Sequence, residues 1–174
     1  MNHVLAYDTD NLTITVEPGI TLVDLQLAID EKFPRKNLFW APQPTETSAT
    51  VGGVASTNAQ GITAHYFGEA KEHIQSIKLI TYDGKEHIIS HDLTVNINNN
   101  TYNLLGIILG SEGICGIITE LTLKLLPKAE TIWGLTFFLM IRIHYTLSLT
   151  IYKITIIMKV MLLLLLKNIL TAIP

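Results

Sequence analysis

The acidic residues of this chain end at Glu130, and this break constrains what the 174 residues can fold into. Residues 1–130 carry 15 acidic and 8 basic side chains, a net charge of −7, whereas residues 131–174 carry four basic side chains and no acidic one. The second segment is also strongly apolar, with 29 apolar residues out of 44. A charge asymmetry of this size indicates two parts with different properties. We therefore predict a domain over 1–130 and an apolar, basic tail over 131–174.

The composition of the whole chain excludes several classes of protein. Hydrophobic residues make up 48% and charged residues 16%, which is typical of a globular chain and not of a disordered one. The net charge of −3 argues against a nucleic-acid-binding domain, which presents a basic surface. Cys115 is the only cysteine, so an internal disulfide and a four-cysteine zinc site are both impossible. A single cysteine fits a reducing compartment, and we expect a cytoplasmic location.

The beginning of the domain predicts a strand followed by a helix. Residues 12–17 alternate between apolar and polar side chains, which indicates a half-buried strand. Pro18-Gly19 ends this strand, and Thr21 is the expected N-cap of a helix that stops before Pro34. Apolar side chains recur at helical spacing within it: Leu22, Leu25, Ile29 and Phe33.

The rest of the domain predicts further strands. Residues 74–82 are rich in Ile and Leu, and Asp83-Gly84 is a strong hairpin signal that returns the chain through residues 85–90. Residues 96–100 are expected to form a polar loop. Residues 117–125 alternate, which places Ile117 on the same face as Leu121. The expected fold class is therefore α+β, a mostly antiparallel sheet flanked by helices.

Two glycine-rich segments, both expected to be loops, carry the functional signal. The first, residues 40–68, contains four glycines and two prolines, and no Lys or Arg occurs between Gln43 and Ala70. The second, residues 110–119, is expected to be a glycine-rich turn that leads into a buried strand. Because glycine lacks a Cβ atom, backbone groups can approach a ligand closely. Neither segment has the spacing of a P-loop or of a Rossmann dinucleotide-binding motif.

Five ordered blocks carry a resemblance to a known family. They are Val16-Glu17-Pro18-Gly19; Ala41-Pro42-Gln43-Pro44-Thr45-Glu46-Thr47; Thr50-Val51-Gly52-Gly53 with Asn58-Ala59-Gln60-Gly61 and Tyr66-Phe67-Gly68; Asp83-Gly84; and Gly110-Ser111-Glu112-Gly113 with Gly116-Ile117-Ile118-Thr119. In order and spacing they resemble the second half of the FAD-binding domain of the vanillyl-alcohol-oxidase (PCMH) type. Within that type they are most similar to the 2-hydroxy-acid dehydrogenases and oxidases, such as D-lactate dehydrogenase and the glycolate oxidase flavin subunit.

The resemblance implies FAD as the cofactor and a set of residues that contact it. The residues that match the family's flavin and pyrophosphate positions are Pro44, Thr45, Thr47, Gly52 and Gly53, with Asn58 and Gly61 continuing the same wall. Gly116 and Ile118 match positions whose backbone reaches the adenine side. The implied chemistry, in the intact parent enzyme, is hydride transfer from a 2-hydroxy acid to the flavin.

The resemblance also implies what the site lacks. The family's first glycine-rich pyrophosphate loop is expected before Met1, and its substrate domain, which brings the catalytic residues, is expected outside this chain. We therefore assign no catalytic residue and leave open whether the chain is an enzyme by itself. The sequence departs from the family pattern at four positions: Gln43, Gln60, the inserted Phe67, and Cys115.

The remaining titratable clusters have simpler interpretations. Glu69, Lys71 and Glu72 form a charge run that is expected on a solvated face. His87 and His91 are expected to be solvated hairpin residues, since no third ligand follows at a suitable spacing, and no metal site is predicted.

Three interpretations of the tail stay open: a membrane-attached segment, an amphipathic surface helix, and a non-native continuation produced by a frameshift. Its longest uninterrupted apolar run between lysines, 160–166, is much shorter than the roughly 20 residues that span a bilayer. For the whole chain, the alternatives to an FAD-binding fragment are an inactive truncated or frameshifted remnant without a ligand, and a small membrane-attached protein.

Overall fold

A computed structural model of the chain describes residues 1–61 and 64–129, so the tail predicted over 131–174 lies outside the described residues. The elements follow in this order: β1 (Val4–Asp8), β2 (Thr13–Val16), α1 (Leu22–Lys32), β3 (Leu38–Phe39), α2 (Val51–Thr57), α3 (Ala64–Phe67), a 3-10 helix (Ala70–His73), β4 (Ile74–Ile80), β5 (Glu86–Ser90), β6 (Thr94–Ile97), β7 (Asn100–Asn103), α4 (Leu104–Ile108), β8 (Ile117–Lys124) and β9 (Leu126–Pro127).

The central element is a five-stranded antiparallel sheet with the order β1-β2-β8-β4-β5. Two small antiparallel pairs, β3-β9 and β6-β7, accompany it. Helices and an antiparallel sheet that do not alternate regularly along the chain define an α+β fold. The predicted fold class is confirmed.

The two faces of the sheet differ in chemistry. One row across four strands is aliphatic and buried: Val16, Leu121, Ile77 and Ile89. The adjacent row, on the opposite face, carries hydroxyl groups: Thr15, Thr122, Ser76 and Ser90. The hydroxyl oxygens of Thr15 and Thr122 are 3.0 Å apart and form a hydrogen bond across the strands. The aliphatic face therefore forms the core, since burial of apolar surface is the main stabilising contribution to a fold.

Helix α1 forms where the sequence predicts it. The Thr21 hydroxyl accepts a hydrogen bond from the Asp24 amide at 3.1 Å, which satisfies a free N–H of the first turn. Leu25 and Ile29 are buried on one face of the helix, and Phe33, also buried, is its C-cap. In the described part of the chain no helix is long and apolar enough to cross a membrane.

The predicted alternation at the start of β8 is wrong. Lys78 pairs with Glu120 but the next residue of β4, Leu79, pairs with Ile118, so Thr119 is an extra residue that forms a β-bulge. The bulge turns Ile118 to the buried side of the sheet and leaves Ile117 70% exposed. Ile117 and Leu121 therefore do not share the buried face.

The loop predicted over 96–100 is instead the turn of a β-hairpin, and β1 was not predicted. Strands β6 and β7 pair from Thr94 with Asn103 to Ile97 with Asn100. Between them Asn98 and Asn99 have φ values of 49° and 64°. Two consecutive residues with positive φ are the requirement of a type I′ turn, and asparagine tolerates that conformation. The polar character of the segment was recognised, but its turn chemistry was not.

The predicted hairpin between β4 and β5 is confirmed, and it has a measurable dependence on pH. Lys85 Nζ lies 2.8 Å from Asp83 Oδ2, and the Thr81 hydroxyl donates to Asp83 Oδ1 at 2.6 Å. These hydrogen bonds lower the pKa of Asp83 from 3.8 to about 2. Because the folded-state pKa is the lower one, the contribution to stability is complete above the unfolded-state pKa and is lost as the pH falls toward 2.

We expect the urea midpoint of the Asp83→Asn variant to fall less steeply between pH 4 and pH 2 than that of the wild type. Denaturation curves at several pH values in this range measure the difference. Asp92→Asn, an exposed carboxylate beyond the end of β5, is the control. Identical acid-side slopes for the wild type and Asp83→Asn would contradict the assignment.

Candidate functional site

The first glycine-rich segment contains a short helix where a loop was expected. Helix α2 begins after Thr50, whose hydroxyl accepts the Gly53 amide at 3.2 Å. It ends at Asn58, which adopts the left-handed conformation with a φ of 46°. Since Thr is a good N-cap and Asn is a common left-handed C-cap, both ends are encoded locally. The loop prediction is therefore wrong for residues 51–57, and also for Ala64–Phe67, which form helix α3.

The two neighbouring glycines of α2 face in opposite directions. Gly52 is buried, its amide donates to the Pro18 carbonyl at 2.8 Å, and a Cβ atom there would lie 2.5 Å from Pro18 Cβ. Gly53 is exposed, and a Cβ atom there would meet only the Thr50 hydroxyl, at 3.2 Å. Gly52 thus allows α2 to pack against the turn after β2. At Gly53 no side chain projects from the outer side of α2.

The outer side of α2 is a surface of low relief. Its exposed residues are Gly53 and Thr57, which are four positions apart and therefore lie on one face. The Thr57 hydroxyl donates to the Gly53 carbonyl at 2.8 Å, which holds that side chain down on the helix. A flat ligand can approach the backbone closely here, but the amides of Gly52 and Gly53 already have partners within the chain.

Pro44, Thr45 and Thr47 line a groove of about 630 Å³ against α1. The α1 side of this groove is mostly apolar and consists of Leu22, Val23, Gln26 and Leu27. The hydroxyl groups of Thr45 and Thr47 are exposed and have no hydrogen-bond partner among the described residues. An apolar wall facing free hydroxyls fits a planar ring that carries polar atoms at its edge.

Two distant parts of the first glycine-rich segment lie next to each other in space. Gly61 lies against the backbone of Gln43 and Pro44, so closely that a Cβ atom at residue 61 would overlap the Gln43 carbonyl. The predicted residues Pro44 and Gly61 are therefore neighbours in space. In the chain between them, the Ser48 hydroxyl and amide donate to the Glu46 carboxylate at 2.7 and 3.0 Å, and these bonds lower the pKa of Glu46.

The second glycine-rich segment lies on the C-terminal end of α2. The Gly110 amide donates to the Ala55 carbonyl at 3.1 Å, and the Glu112 amide donates to the Ser56 carbonyl at 2.8 Å. Gly110 has a φ of +87°, which favours glycine. Two segments more than 50 residues apart in the sequence thus form one continuous backbone surface.

The last two predicted residues, Gly116 and Ile118, lie where this second segment enters β8. Gly116 passes so close to β4 that a Cβ atom would lie 2.5 Å from the Ile80 carbonyl. The Ile118 side chain is buried, so only its backbone is available to a ligand. Strand β2 pairs only with Leu121–Lys124, so within the described residues the start of β8 has no strand partner on that side.

The side chain of Asn58 points toward the 3-10 helix. Its Nδ2 donates to Glu69 Oε2 at 2.9 Å, and its Oδ1 accepts from the Lys71 amide at 3.1 Å. Lys71 Nζ is 2.6 Å from Glu69 Oε2, and its hydrogen bond, together with that from Asn58, lowers the pKa of Glu69. Glu69 and Lys71 are part of the structure around the site, whereas the sequence predicted only a solvated face.

The structure accommodates the inserted Phe67. Its ring packs edge-on against Phe39, with centroids 5.4 Å apart, and Nε2 of the buried His73 lies 2.8 Å from the Phe67 carbonyl oxygen. The side chain at the inserted position therefore adds a contact with the buried Phe39. In the part of the chain that the structure describes, no group of three side chains is arranged to bind a metal ion.

Comparison with known proteins identifies related sequences. The family described as FAD binding domain matches residues 1–90. A D-lactate dehydrogenase of Anaerostipes hadrus is 35% identical over 135 residues, which cover 78% of this chain and 27% of the relative. The glycolate oxidase subunit GlcD of Bacillus subtilis (strain 168) is 32% identical over 132 residues, 75% of this chain and 27% of the relative. The chain thus spans about a quarter of the length of these relatives.

Proposed function

Because the chain belongs to the FAD binding domain family, we propose that it holds the FAD of a flavin-dependent oxidoreductase that acts on 2-hydroxy acids. The names of its relatives support the substrate class, since D-lactate and glycolate are both 2-hydroxy acids. When bound, FAD supplies the redox chemistry by accepting a hydride, and the protein supplies position and electrostatics. The observation that carries the proposal is the contact between the two glycine-rich segments, which forms one backbone surface along α2 and the loop 110–116.

The residues present fit one wall of an FAD site. The groove beside Pro44 offers an apolar surface for a ring, and the hydroxyls of Thr45 and Thr47 are free to donate or accept at its edge. The low outer side of α2 at Gly53 allows close approach of a large ligand. The backbone near Gly116 and Ile118 is assigned to the adenine side. No side chain of this chain is assigned a proton-transfer role.

We expect the full chain to bind FAD, and we expect the Gly53→Leu variant to bind it about tenfold more weakly, a loss of about 1.4 kcal/mol. A leucine side chain at position 53 would project from the outer side of α2 and keep a flat ligand away from the backbone. Titration with FAD, followed by quenching of flavin fluorescence, measures both affinities.

The control is Gly106→Leu in α4. Gly106, like Gly53, is exposed, lies three residues after an N-cap and donates its amide to the capping side chain, that of Asn103. It is not one of the assigned FAD positions, so its FAD affinity should match that of the wild type. A wild-type chain that does not quench the fluorescence of added FAD would overturn the proposal and favour a remnant without a ligand. Wild-type affinity in Gly53→Leu would overturn the placement of FAD along α2.

A further inference from the structure

Asn58 is the point at which three segments of the chain meet. Its backbone ends α2, and its amide side chain uses one donor and one acceptor on the 3-10 helix, at Glu69 and at the Lys71 amide. On its other side lies the second glycine-rich segment, where a Cβ atom on Gly110 would be only 3.1 Å from Asn58 Cβ. The residue therefore contacts the 3-10 helix on one side and the loop 110–116 on the other.

The chemistry of the side chain is specific to an amide. The asparagine side chain donates to the Glu69 carboxylate and at the same time accepts from the Lys71 amide, which a side chain with only donors or only acceptors could not do. The Glu69–Lys71 ion pair fixes the carboxylate that receives this bond. Both polar atoms of the Asn58 side chain are therefore hydrogen-bonded within the chain, to Glu69 and to the Lys71 amide.

We propose that Asn58, Glu69 and Lys71 form a clamp that fixes the C-terminal end of α2 against the 3-10 helix. Because Gly110 lies against Asn58 Cβ, the clamp also keeps the loop 110–116 seated on that end of α2, so that Asn58 is a positioning residue and not an FAD contact. The link between the clamp and FAD rests on the proposed function, because the clamp positions the surface that is assigned to FAD. Loss of the side chain removes the Lys71 amide's acceptor and one of the donors to the Glu69 carboxylate, which keeps its ion pair with Lys71. The backbone bonds of Gly110 and Glu112 to α2 then open more often, since local opening follows the free energy of the contacts that oppose it.

The test uses Asn58→Gly in the full chain, because glycine keeps the left-handed backbone and removes only the side chain. Asn98→Gly is the matched control, since Asn98 has a φ of 49° but lies in the β6–β7 turn. Hydrogen exchange of the Gly110 and Glu112 amides is measured first, without FAD. We expect exchange to be roughly tenfold faster in Asn58→Gly, equivalent to one lost hydrogen bond, and unchanged in Asn98→Gly.

The FAD affinity is measured next, by fluorescence quenching. We expect the dissociation constant to rise about tenfold in Asn58→Gly and to stay at the wild-type value in Asn98→Gly. Unchanged exchange at Gly110 and Glu112 would overturn the clamp, whatever the FAD result. Faster exchange with wild-type FAD affinity would overturn its link to the ligand. A wild-type chain that does not bind FAD, with faster exchange in the variant, would overturn the proposed function but leave the clamp standing.

A pair of charge variants tests Glu69 directly. Asn58→Asp places two carboxylates opposite each other and removes the donor, so the Gly110 amide should exchange faster. Adding Glu69→Gln restores a donor and an acceptor with their roles exchanged, and exchange should slow again toward the wild-type rate. Failure of the second substitution to slow exchange would exclude Glu69 from the clamp.

Discussion

The Gly52→Ala variant is expected to lose about 2–3 kcal/mol of its free energy of unfolding, because the added methyl group overpacks a buried contact and strains a hydrogen bond. A Cβ atom at position 52 would lie 2.5 Å from Pro18 Cβ and 2.9 Å from the Pro18 carbonyl oxygen. Both atoms belong to the turn between β2 and α1, so the helix has to move away from that turn. The displacement also lengthens the bond from the Gly52 amide to the Pro18 carbonyl, which is 2.8 Å in the structure.

The neighbouring Gly53→Ala substitution is the control for this experiment. Alanine gains about 1 kcal/mol of helix propensity over glycine, and the only close contact of the new methyl group is the hydroxyl of the half-buried Thr50. The free energy of unfolding should therefore stay within about 0.5 kcal/mol of the wild type or rise. Urea denaturation of both variants, without FAD, measures the difference. Equal stabilities of the two variants would show that α2 does not pack on Pro18 as described.

The Leu121→Ala variant is expected to lose about 3–4 kcal/mol, the range typical of a cavity in a rigid core. Leu121 is 0% exposed, lies in the central strand β8 and pairs with Val16 on one side and Ile77 on the other. Neighbours on two strands cannot close around the missing side chain without disturbing the sheet, so most of the cavity should persist.

Thr122→Ala tests the opposite face at the next position of the same strand. It removes one hydrogen bond, to the Thr15 hydroxyl, and should lower the free energy of unfolding by about 1 kcal/mol. The two urea midpoints compare the aliphatic and the hydroxyl faces directly. A loss at Thr122 as large as that at Leu121 would contradict the assignment of the core to a single face.

The elements that the sequence predicted correctly are those specified by neighbouring residues. The Thr21 cap and the apolar spacing of α1 lie within a dozen residues, and the Asp83-Gly84 turn lies between the strands that it joins. The Thr119 bulge depends instead on how β8 meets β4, and a period of two in the sequence cannot reveal it. Helix α2 was missed because a Gly-Gly pair lowers helix propensity, and packing on Pro18 outweighs that cost.

The candidate site shows the same division. The glycine-rich blocks pointed to the correct family, and the contact between α2 and the loop 110–116 brings these blocks together. What the blocks could not reveal is that the Gly52 amide and the Asn58 side chain already have partners within the chain. Such partners come from Pro18 and Glu69, and only the folded chain places them there. The FAD contacts themselves stay a prediction.

The tip of the β6–β7 hairpin is a suitable place to insert a tag or a fluorophore. Within the described residues it forms a separate two-stranded sheet, and its tip at Asn98 and Asn99 is exposed. Exposed hairpin tips accept insertions because no buried backbone bond has to break. A peptide tag or a fluorophore inserted between Asn98 and Asn99 would allow the protein to be immobilised, and flavin exchange could then be followed on a surface with α2 unmodified.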